Sequence, residues 1–253
     1  MGCSRCSRRS RKPGEGMNKP VVSIITSTYN RTGLLRRAID SVRAQTGAPE
    51  WEMCIVGDCT PDNTAEEVAS YGDERLRFFN LPEKSPPRAH GAIAKNHGIF
   101  EMARGEWIAY LDDDDEYAPG FLREMFAALE NNPGYELAYC RAIYRDKDTG
   151  RRIWGNPFHG ALKFSRERLE RYNFLISNGV LHSRRLIEET GGWNPGDYFD
   201  DYDLWKRMAQ KHDFLFVNRA LCVVYTKADP FFKRLVTKGV KILLHGRRLE
   251  DQG

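Results

Sequence analysis

The chain of 253 residues contains no hydrophobic run that approaches the roughly eighteen residues of a membrane span. Residues 1–16 are basic and polar, with no apolar stretch after them, so no secretory signal is expected. The glycine-rich motif G-x-G-x-x-G does not follow the first apolar segment, and G-x-x-x-x-G-K-[ST] is missing as well. These absences disfavour a dinucleotide-binding fold and exclude a P-loop protein.

The six cysteines form no disulfide framework. Cys3 and Cys6 make a single C-x-x-C pair, with no second pair to complete a zinc site. Cys54, Cys140 and Cys222 lie in strand-like segments and are predicted to be buried thiols. This pattern is typical of a reducing compartment, so a cytoplasmic protein is expected.

The net charge of +4 hides a division between the ends and the body of the chain. Residues 1–16 and residues 231–253 each carry as much net positive charge as the whole chain, so the body at residues 17–230 is acidic. A nucleic-acid-binding domain would carry its positive charge on its folded face, and no nucleic-acid partner is therefore expected. The basic ends indicate tails that either touch an anionic surface or have no partner.

Apolar segments with the character of buried strands alternate with helix-like segments through the first half of the chain. This alternation is typical of a mostly parallel, doubly wound α/β sheet with helices on both faces. The predicted strands are residues 20–26, 51–57, 76–79 and 105–111. The predicted helices include one that turns Leu34, Leu35, Ala38, Ile39 and Val42 inward and one at residues 89–102.

Four consecutive aspartates, residues 112–115, follow the fourth predicted strand. Adjacent carboxylates repel one another, and none can be buried in its ionised form without a partner. A divalent cation such as Mg²⁺ or Mn²⁺ would relieve this repulsion, because it takes oxygen ligands and shares them with substrate phosphates. A solvated loop is the alternative for such a run taken alone. A calcium-binding hand fails on spacing, because Tyr117 and Arg123 occupy the positions of its glycine and closing glutamate.

Polar side chains follow three of the predicted strands. Thr28, Tyr29 and Arg31 come after the first, Asp58 after the second, and the aspartates at 112–115 after the fourth. Such strand ends can converge on one rim of an α/β sheet, where ligands bind. An aspartate can accept a hydrogen bond from a base or a ribose, a tyrosine can stack on a base, and the acidic run can hold a metal on a pyrophosphate. Together these features predict a nucleotide-diphosphate site.

The second half of the chain is less regular. Asp200 and Asp201 open a predicted helix, where the helix dipole favours acidic residues even without a catalytic role. Residues 231–244 form a predicted amphipathic, basic helix that either caps the fold or lies on an anionic bilayer. The other predictions are a hairpin of residues 135–144 and 151–154, a loop over the site at 156–169, a strand at 178–182, a helix at 184–190, and closing strands at 214–217 and 221–225.

Five stretches occur in one order: VVSIITSTYNR at residues 21–31, VGDCTPD at 56–62, KNHG at 95–98, the strand and acidic run at 105–115, and YFDDYDLWKR at 198–207. Together they resemble the family-two glycosyltransferases of the GT-A fold. The resemblance implies an α/β GT-A fold with a small antiparallel acceptor-side sheet. It also implies inverting transfer of a sugar from a nucleotide donor, usually UDP-linked, to an acceptor hydroxyl, with Mn²⁺ or Mg²⁺ as cofactor.

The resemblance further assigns residues to roles. Asp201 matches the position of the general base that takes the proton of the acceptor hydroxyl, with Asp203 as the second candidate. Asp112, Asp114 and Asp115 match the D-x-D-D pattern of the family (the DXD motif), with Asp114 as the direct metal ligand. A helix salt bridge explains Arg207 equally well, and a structural histidine is the common alternative for His182. The implied nucleotide-binding residues are Thr28, Tyr29, Arg31, Asp58, Lys95, Asp112 and Asp113, and the acceptor or orienting residues are Asp200, Asp203, Arg207 and His182.

The sequence departs from the family pattern in two places. Lys95 stands where an arginine is more usual, and Cys59-Thr60-Pro61 replaces the commoner acidic-glycine-serine turn, which could alter base preference. No QxxRW-like sequence occurs, so a processive polysaccharide synthase is not expected. A sugar nucleotidyltransferase would need a glycine-rich first loop, which residues 27–31 do not provide. A non-catalytic module that keeps the nucleotide pocket, or binds anionic surfaces through its basic ends, stays open.

The predicted organisation is a disordered basic extension at residues 1–18, one glycosyltransferase domain at 19–229, and a basic helix and tail at 230–253. The domain divides into a nucleotide-binding half at 19–115 and an acceptor half at 116–229. The expected partners are a nucleotide-sugar donor and a glycan or lipid-linked acceptor of cell-envelope polysaccharide biosynthesis. The expected location is the cytoplasm, with residues 231–248 as a candidate contact to the inner face of the membrane.

Overall fold

The computed structural model describes residues 20–89, 91–153, 162–196 and 200–227. The predicted basic extension at the start and the predicted amphipathic helix at the end lie outside these ranges, as do residues 156–161 of the predicted loop. Within the described ranges, no helix has the length and apolar character needed to cross a bilayer.

The first half alternates strands and helices, as the sequence predicts. Its two longest strands are almost wholly buried, as is typical of a sheet covered on both faces. The elements are β1 (Val22–Thr28), α1 (Thr32–Arg43), β2 (Trp51–Gly57), α2 (Thr64–Ser70), β3 (Leu76–Asn80), a 3₁₀ turn (Pro87–Ala89), α3 (Ala92–His97), a π-helical turn (Gly98–Met102) and β4 (Trp107–Tyr110).

The second half contains shorter helices between longer strands. Its elements are β5 (Glu116–Tyr117), α4 (Phe121–Glu130), β6 (Leu137–Asp146), β7 (Arg152–Ile153), α5 (Arg166–Arg171), a 3₁₀ turn (Ser177–Gly179), β8 (Val180–Ser183), α6 (Arg184–Thr190), α7 (Asp200–Ala209) and β9 (Leu215–Thr226).

All of these strands belong to one sheet, in the order β3-β2-β1-β4-β8-β6-β9-β5, with β7 paired to β6. The pairs β1–β2, β1–β4, β2–β3 and β6–β9 are parallel. The pairs β4–β8, β6–β8, β6–β7 and β5–β9 are antiparallel. The predicted parallel sheet of the first half is therefore confirmed, and the antiparallel strands of the second half continue the same sheet.

Helices cover both faces of this sheet. One core contains the apolar side chains of α1 and α4, and the other contains those of α3, α6 and α7. In α1 the residues at helical spacing, Leu35, Ala38, Ile39 and Val42, are all fully buried. The prediction that Leu34 is buried is wrong: it is 39% exposed, because it lies about 100° around the helix from Leu35 and outside the apolar stripe.

Two predicted elements have different boundaries in the structure. The helix expected at residues 89–102 is divided into a 3₁₀ turn, α3 and a π-helical turn that begins at Gly98. A Cβ at Gly98 would lie 2.9 Å from Cγ2 of Ile25, so glycine allows this turn to approach β1 closely. The end of the predicted loop is helical instead, because Ser165 caps α5 by accepting a hydrogen bond from Arg168 N at 3.3 Å.

The two predicted closing strands are one continuous strand, β9. Its register on β6 shifts between Cys140 and Arg141, which pair with Val217 and Ala220. The polar residues between those partners are accommodated as a bulge, which keeps the strand continuous where a sequence pattern indicates a break.

The predicted burial of three thiols is confirmed. Cys54, Cys140 and Cys222 are at most 1% exposed. Burial raises the pKa of the Cys54 thiol to about 12, so this group is protonated at neutral pH. These cysteines therefore act as small apolar residues of the core.

Candidate functional site

The carboxyl ends of β1, β2 and β4 meet at a cavity of about 410 Å³. The parallel register brings these ends together, since Thr28 pairs with Gly57 and Leu111 N donates to Ile25 O at 3.1 Å. Every residue predicted to bind nucleotide, and the predicted metal ligand, lies in the cavity wall. The wall is formed by Ser27, Thr28, Tyr29, Arg31, Asp58, Gly91, Lys95, Asp112, Asp113 and Asp114.

Hydrogen bonds connect the turns after β1 and β2, which border this cavity. Asn30 N donates to Thr60 Oγ1 at 2.8 Å, and Thr32 Oγ1 donates to Asp62 Oδ2 at 2.6 Å. Burial raises the pKa of Asp62, but hydrogen bonds from Thr32, Thr64 and Thr60 outweigh this effect and hold the pKa well below its usual range. Asp62 therefore stays ionised and fixes the two turns relative to one another.

Asp58 is an acceptor beside an exposed aromatic ring. Its Oδ1 accepts from Ser85 N at 2.9 Å, and its Oδ2 lies 3.2 Å from Lys84 Nζ. The Lys84 ammonium also lies over the ring of Tyr29, 2.7 Å from the centroid. Burial raises the pKa of Asp58, but the hydrogen bonds from Ser85 and Lys84 outweigh it, so the pKa is lowered and the carboxylate is ionised.

Asp113 is buried and held by two side chains that follow β1. Thr28 Oγ1 donates to Asp113 Oδ2 at 2.7 Å, and Arg31 Nη1 donates to Asp113 Oδ1 at 3.1 Å. Burial raises the pKa of Asp113 to about 6, against the opposing effect of these two partners. Protein groups therefore satisfy this carboxylate.

Asp115 is also buried, and its partners come from the acceptor half. Asn178 Nδ2 donates to Asp115 Oδ2, and Tyr225 N donates to Asp115 Oδ1 at 2.8 Å. Burial and the charge of Asp112 raise the pKa of Asp115 to about 8. Asp115 thus joins the acidic run to β9 and to the turn before β8.

The acidic run divides into two alternating pairs. Asp113 and Asp115 are each 4% exposed and bound by protein donors, whereas Asp112 and Asp114 are partly exposed in the cavity wall. Arg31 Nη1 also reaches Asp114 Oδ2 at 3.2 Å. The interpretation that the whole run depends on a cation is therefore too broad, because protein donors bind the carboxyl groups of two of its four members.

The exposed pair fits a shared metal site. Among the described residues, no three histidine, cysteine or acidic side chains are arranged to hold a metal ion alone. A Mg²⁺-type ion is usually held by one or two carboxylates together with substrate phosphates and water, without a full protein cage. Asp112 and Asp114, two carboxylates on one cavity wall, supply that donor set.

Asp201, the predicted base, lies in the first turn of α7 and is not among the residues that line the cavity. Asn173 Nδ2 donates to Asp201 Oδ2 at 3.1 Å, and Tyr202 N donates to Asp201 Oδ1 at 2.7 Å. Burial raises the pKa of Asp201, the charge of Lys95 lowers it in part, and that of Asp112 raises it. Lys95 and Asp112 line the cavity, whereas Asp201 does not, so the cavity and Asp201 are linked by these charges and not by a shared wall.

Three other residues of α7 make contacts within the helix or with the end of α6. Asp200 Oδ1 accepts from Asp201 N at 2.9 Å. Arg207 Nε donates to Asp203 Oδ2 at 2.8 Å, and Arg207 Nη2 donates to Gly192 O at 2.8 Å. Arg207 therefore braces α7 against the end of α6, as the salt-bridge alternative predicts, and its described contacts do not include Asp201.

His182 lies in the core and not in the cavity wall. It is fully buried in β8, with Nε2 2.8 Å from the hydroxyl of Tyr110 and Nδ1 2.7 Å from Ser183 O. Burial lowers the pKa of His182 to about 4, so the ring is neutral. These contacts match the structural alternative for this residue.

Sequence reasoning missed three residues of the site. Lys84 contacts Asp58, Asn173 contacts Asp201, and Asn178 contacts the acidic run. Asparagine and lysine are common in loops, so neither type nor spacing marks these positions. Only the pairing of β8 with β4 shows that the turn before β8 lies beside the acidic run.

The fold is an α/β sheet with a polar cavity at the carboxyl ends of its parallel strands, and comparison with family models shows the class of protein to which it belongs. The model for glycosyl transferase family 2 matches residues 23–190, which is more than half of the chain. The chain therefore belongs to this family. The match includes the acidic run and ends before α7.

Two curated relatives illustrate the family. The first is the putative teichuronic acid biosynthesis glycosyltransferase TuaG of Bacillus subtilis, 39% identical over 101 residues, or 39% of this chain and 38% of that protein. The second is the UDP-Glc:alpha-D-GlcNAc-diphosphoundecaprenol beta-1,3-glucosyltransferase WfgD of Escherichia coli, 25% identical over 80% of this chain and 75% of that protein. The matched region thus spans well under half the length of the first relative.

Two solved structures share the fold. TarS of S. aureus in complex with UDP-GlcNAc has a TM-score of 0.65 and 18% identity, over 84% of this chain and 60% of that chain. The mannosyltransferase PcManGT of Pyrobaculum calidifontis in complex with GDP-Man and Mn²⁺ has a TM-score of 0.61 and 15% identity, over 93% of this chain and 66% of that chain. At these identities the likeness shows the fold alone, which is the GT-A type.

Proposed function

We propose that this chain is an inverting, metal-assisted glycosyltransferase that moves a sugar from a UDP-sugar to a hydroxyl of a glycan or lipid-linked acceptor. Membership of the family supports glycosyl transfer. The observation that carries the finer proposal is the cavity that Tyr29, Asp58, Asp112 and Asp114 line together. Asp201 does not line this cavity, but the charges of the wall residues Lys95 and Asp112 act on it. The UDP-GlcNAc bound to TarS and the lipid-linked acceptor in the name of WfgD support these substrate classes.

The base and ribose of the donor would bind at the turns after β1 and β2. Tyr29 is 44% exposed and offers a face for stacking, and ionised Asp58 offers an acceptor for a base N–H. The ammonium of Lys84 now lies between these two groups. A base that stacks on the same face of Tyr29 would replace that ammonium at Asp58.

The diphosphate would bind along the wall formed by the exposed carboxylates. Asp114, with Asp112 beside it, would hold a Mn²⁺ or Mg²⁺ ion, which when bound stabilises negative charge on the leaving diphosphate. Arg31 adds a positive charge to the same wall through its contact with Asp114. Asp113 keeps Arg31 and Thr28 in place through its own hydrogen bonds.

Asp201 would act as the general base. Its carboxylate takes the proton of the acceptor hydroxyl while that oxygen forms a bond to the anomeric carbon and the bond from this carbon to the diphosphate breaks. Attack from the face opposite the leaving group inverts the configuration. Burial raises the pKa of Asp201 and makes it a stronger base, and the charge of Lys95 opposes part of this rise. The Asn173 amide orients the carboxylate through Oδ2.

The test compares three variants of the full chain with a panel of UDP-sugars and Mn²⁺, with UDP release and UDP binding measured separately. Asp114→Asn is expected to abolish Mn²⁺-dependent release. Asp201→Asn is expected to reduce transfer by orders of magnitude while UDP binding stays near that of the unchanged protein. Asp203→Asn is the matched control on the same helix, because Arg207 donates a hydrogen bond to the carboxylate of Asp203.

The outcomes separate the alternatives. Transfer that survives Asp201→Asn but is lost in Asp203→Asn would make Asp203 the base. UDP binding without release or transfer under any condition would favour a non-catalytic nucleotide-binding module. Loss of UDP binding in Asp201→Asn would assign this residue to the donor site.

A further inference from the structure

The site residues predicted from the sequence do not include Asn178, which carries a fully buried amide. It lies in the 3₁₀ turn Ser177–Gly179 and has no exposed surface. Its Oδ1 accepts from Asp112 N at 2.8 Å, and its Nδ2 donates to Asp115 Oδ2. One side chain therefore contacts both ends of the acidic run.

The rest of the acidic run is also held from outside. Thr28 binds the carboxylate of Asp113, and Arg37 Nη2 donates to the backbone carbonyl of Asp114. Arg37 in turn lies over the ring of Tyr225, 3.7 Å from the centroid, and Tyr225 N donates to the same carboxylate that Asn178 contacts. Each residue of the run thus has a backbone or side-chain anchor.

We propose that Asn178 is a positioning residue for the metal and diphosphate site, because it fixes the backbone at Asp112 and the carboxylate of Asp115. These two anchors set the direction in which the carboxylates of Asp112 and Asp114 face the cavity. The inference rests on the proposed function, since it matters for catalysis only if those carboxylates hold a metal–diphosphate complex. It links the donor site to the turn before β8, in the acceptor half of the chain.

The chemistry of the amide explains why no other residue of this size serves the same purpose. An amide has one acceptor and two donors, so it can accept from Asp112 N and donate to Asp115 at once. An aspartate at this position keeps the acceptor but has no amide N–H to donate, and it places a second carboxyl group against the buried Asp115. An alanine loses both contacts and leaves buried polar groups without partners.

The hydrogen bond between Asn178 and Asp115 can also be reversed, so that residue 115 donates and residue 178 accepts. In the double variant Asn178→Asp/Asp115→Asn, the new amide at position 115 can donate to the new carboxylate at position 178. That carboxylate can still accept from Asp112 N, and the amide oxygen at 115 can still accept from Tyr225 N. The net charge and the number of hydrogen bonds are unchanged, so the double variant restores the clamp with donor and acceptor exchanged.

The experiment uses the full chain and measures the melting temperature, the Kd of UDP with and without Mn²⁺, and UDP release from UDP-GlcNAc. Asn178→Ala and Asn178→Asp are expected to weaken Mn²⁺-dependent UDP binding about 10- to 100-fold, the usual effect of losing a group that orients a metal ligand. UDP binding without Mn²⁺ is expected to stay unchanged, because Tyr29 and Asp58 are untouched. The double variant is expected to recover most of the loss.

Gln45→Ala is the matched control for loss of a buried amide. Gln45 donates to Ala118 O at 3.0 Å and accepts from Leu122 N at 3.2 Å, and it does not contact the acidic run. This variant is expected to lower the melting temperature without a change in the Mn²⁺-dependent part of UDP binding.

Three results would overturn this inference and leave the proposed function intact. Asn178→Ala could bind UDP with Mn²⁺ as tightly as the unchanged protein, or the double variant could bind it no more tightly than Asn178→Asp. In the third, UDP affinity falls equally with and without Mn²⁺, which would show a merely structural role. If the unchanged protein shows neither Mn²⁺-dependent UDP binding nor UDP release, the proposed function fails and this inference fails with it.

Discussion

The two halves of the proposed site are built in different ways. In the half proposed to bind the donor, residues 20–115, the polar side chains follow the ends of parallel strands and bind one another, as Thr28 and Arg31 bind Asp113. On the proposed acceptor side, Asp201 comes from the first turn of a helix and is held by Asn173 from a separate loop. Because different contacts hold these two groups, we expect donor binding and the chemical step to be separable by mutation.

The largest expected effect is on the acceptor side. Asp201→Asn removes the proposed base and is expected to reduce transfer about 10²- to 10⁴-fold, the usual contribution of general base catalysis. The Kd of UDP with Mn²⁺ is expected to stay near its original value. Steady-state transfer rates and calorimetric titration with UDP check the two quantities. A parallel loss of both would remove the proposed separation of the two sides.

The second effect is on the donor side. Asp114→Asn removes a charged oxygen ligand and is expected to weaken Mn²⁺-dependent UDP binding by about tenfold or more. The same change at Asp148, an exposed turn residue outside the cavity, is the control and is expected to leave binding unchanged. The measurement is UDP titration at several Mn²⁺ concentrations. Equal affinities for the two variants would exclude Asp114 as a metal ligand.

The sequence predicts the donor side better than the acceptor side, and the reason is physical. The donor side follows from local patterns, because an apolar strand and the polar residues directly after it are adjacent in sequence, as with β4 and Asp112. The partners of the acceptor side are distant in sequence: Asn178 meets the acidic run only after β8 pairs with β4, and Asn173 meets Asp201 only when α7 packs. No local pattern encodes such contacts.

Contacts between residues distant in sequence also explain the wrong predictions for Leu34 and for the closing strands. Helical spacing predicts the buried stripe of α1 but does not resolve Leu34 at its margin. The bulge that keeps β9 in one piece depends on its partner strand β6 and not on its own sequence. Side-chain partners also changed the interpretation of the acidic run, where Asp113 and Asp115 proved to be bound by protein groups.

A smaller effect tests the rigidity of the donor side. Thr28→Val removes a donor to buried Asp113 and is expected to lower the free energy of unfolding by about 1–3 kcal/mol. Thr26→Val on the same strand is the matched control, because the buried Thr26 hydroxyl has no hydrogen-bond partner among the described residues. That change is expected to be neutral or slightly stabilising. Denaturant unfolding of both variants checks the difference, and equal losses would mean that the Thr28–Asp113 bond does not stabilise the site.

The smallest effect concerns the pH dependence of the acceptor side. A base must be ionised, and burial raises the pKa of Asp201, so kcat should fall on acidification at a higher pH than an ordinary aspartate would give. The charge of Lys95 lowers this pKa in part. Lys95→Met is therefore expected to move the acid limb of the kcat–pH profile to higher pH. A shift to lower pH, or none, would show that the limb does not report Asp201.

The central claim is that the exposed carboxylates of the acidic run share a metal ion with the diphosphate of the donor. Anomalous diffraction from a crystal soaked with UDP and Mn²⁺ tests this claim most directly. We expect one manganese peak at a coordination distance of about 2.1 Å from an Asp114 carboxylate oxygen and in contact with phosphate oxygens of UDP. Bound UDP with no manganese at Asp114, or with its phosphates outside the cavity, would show that the carboxylates and the diphosphate do not share a metal ion.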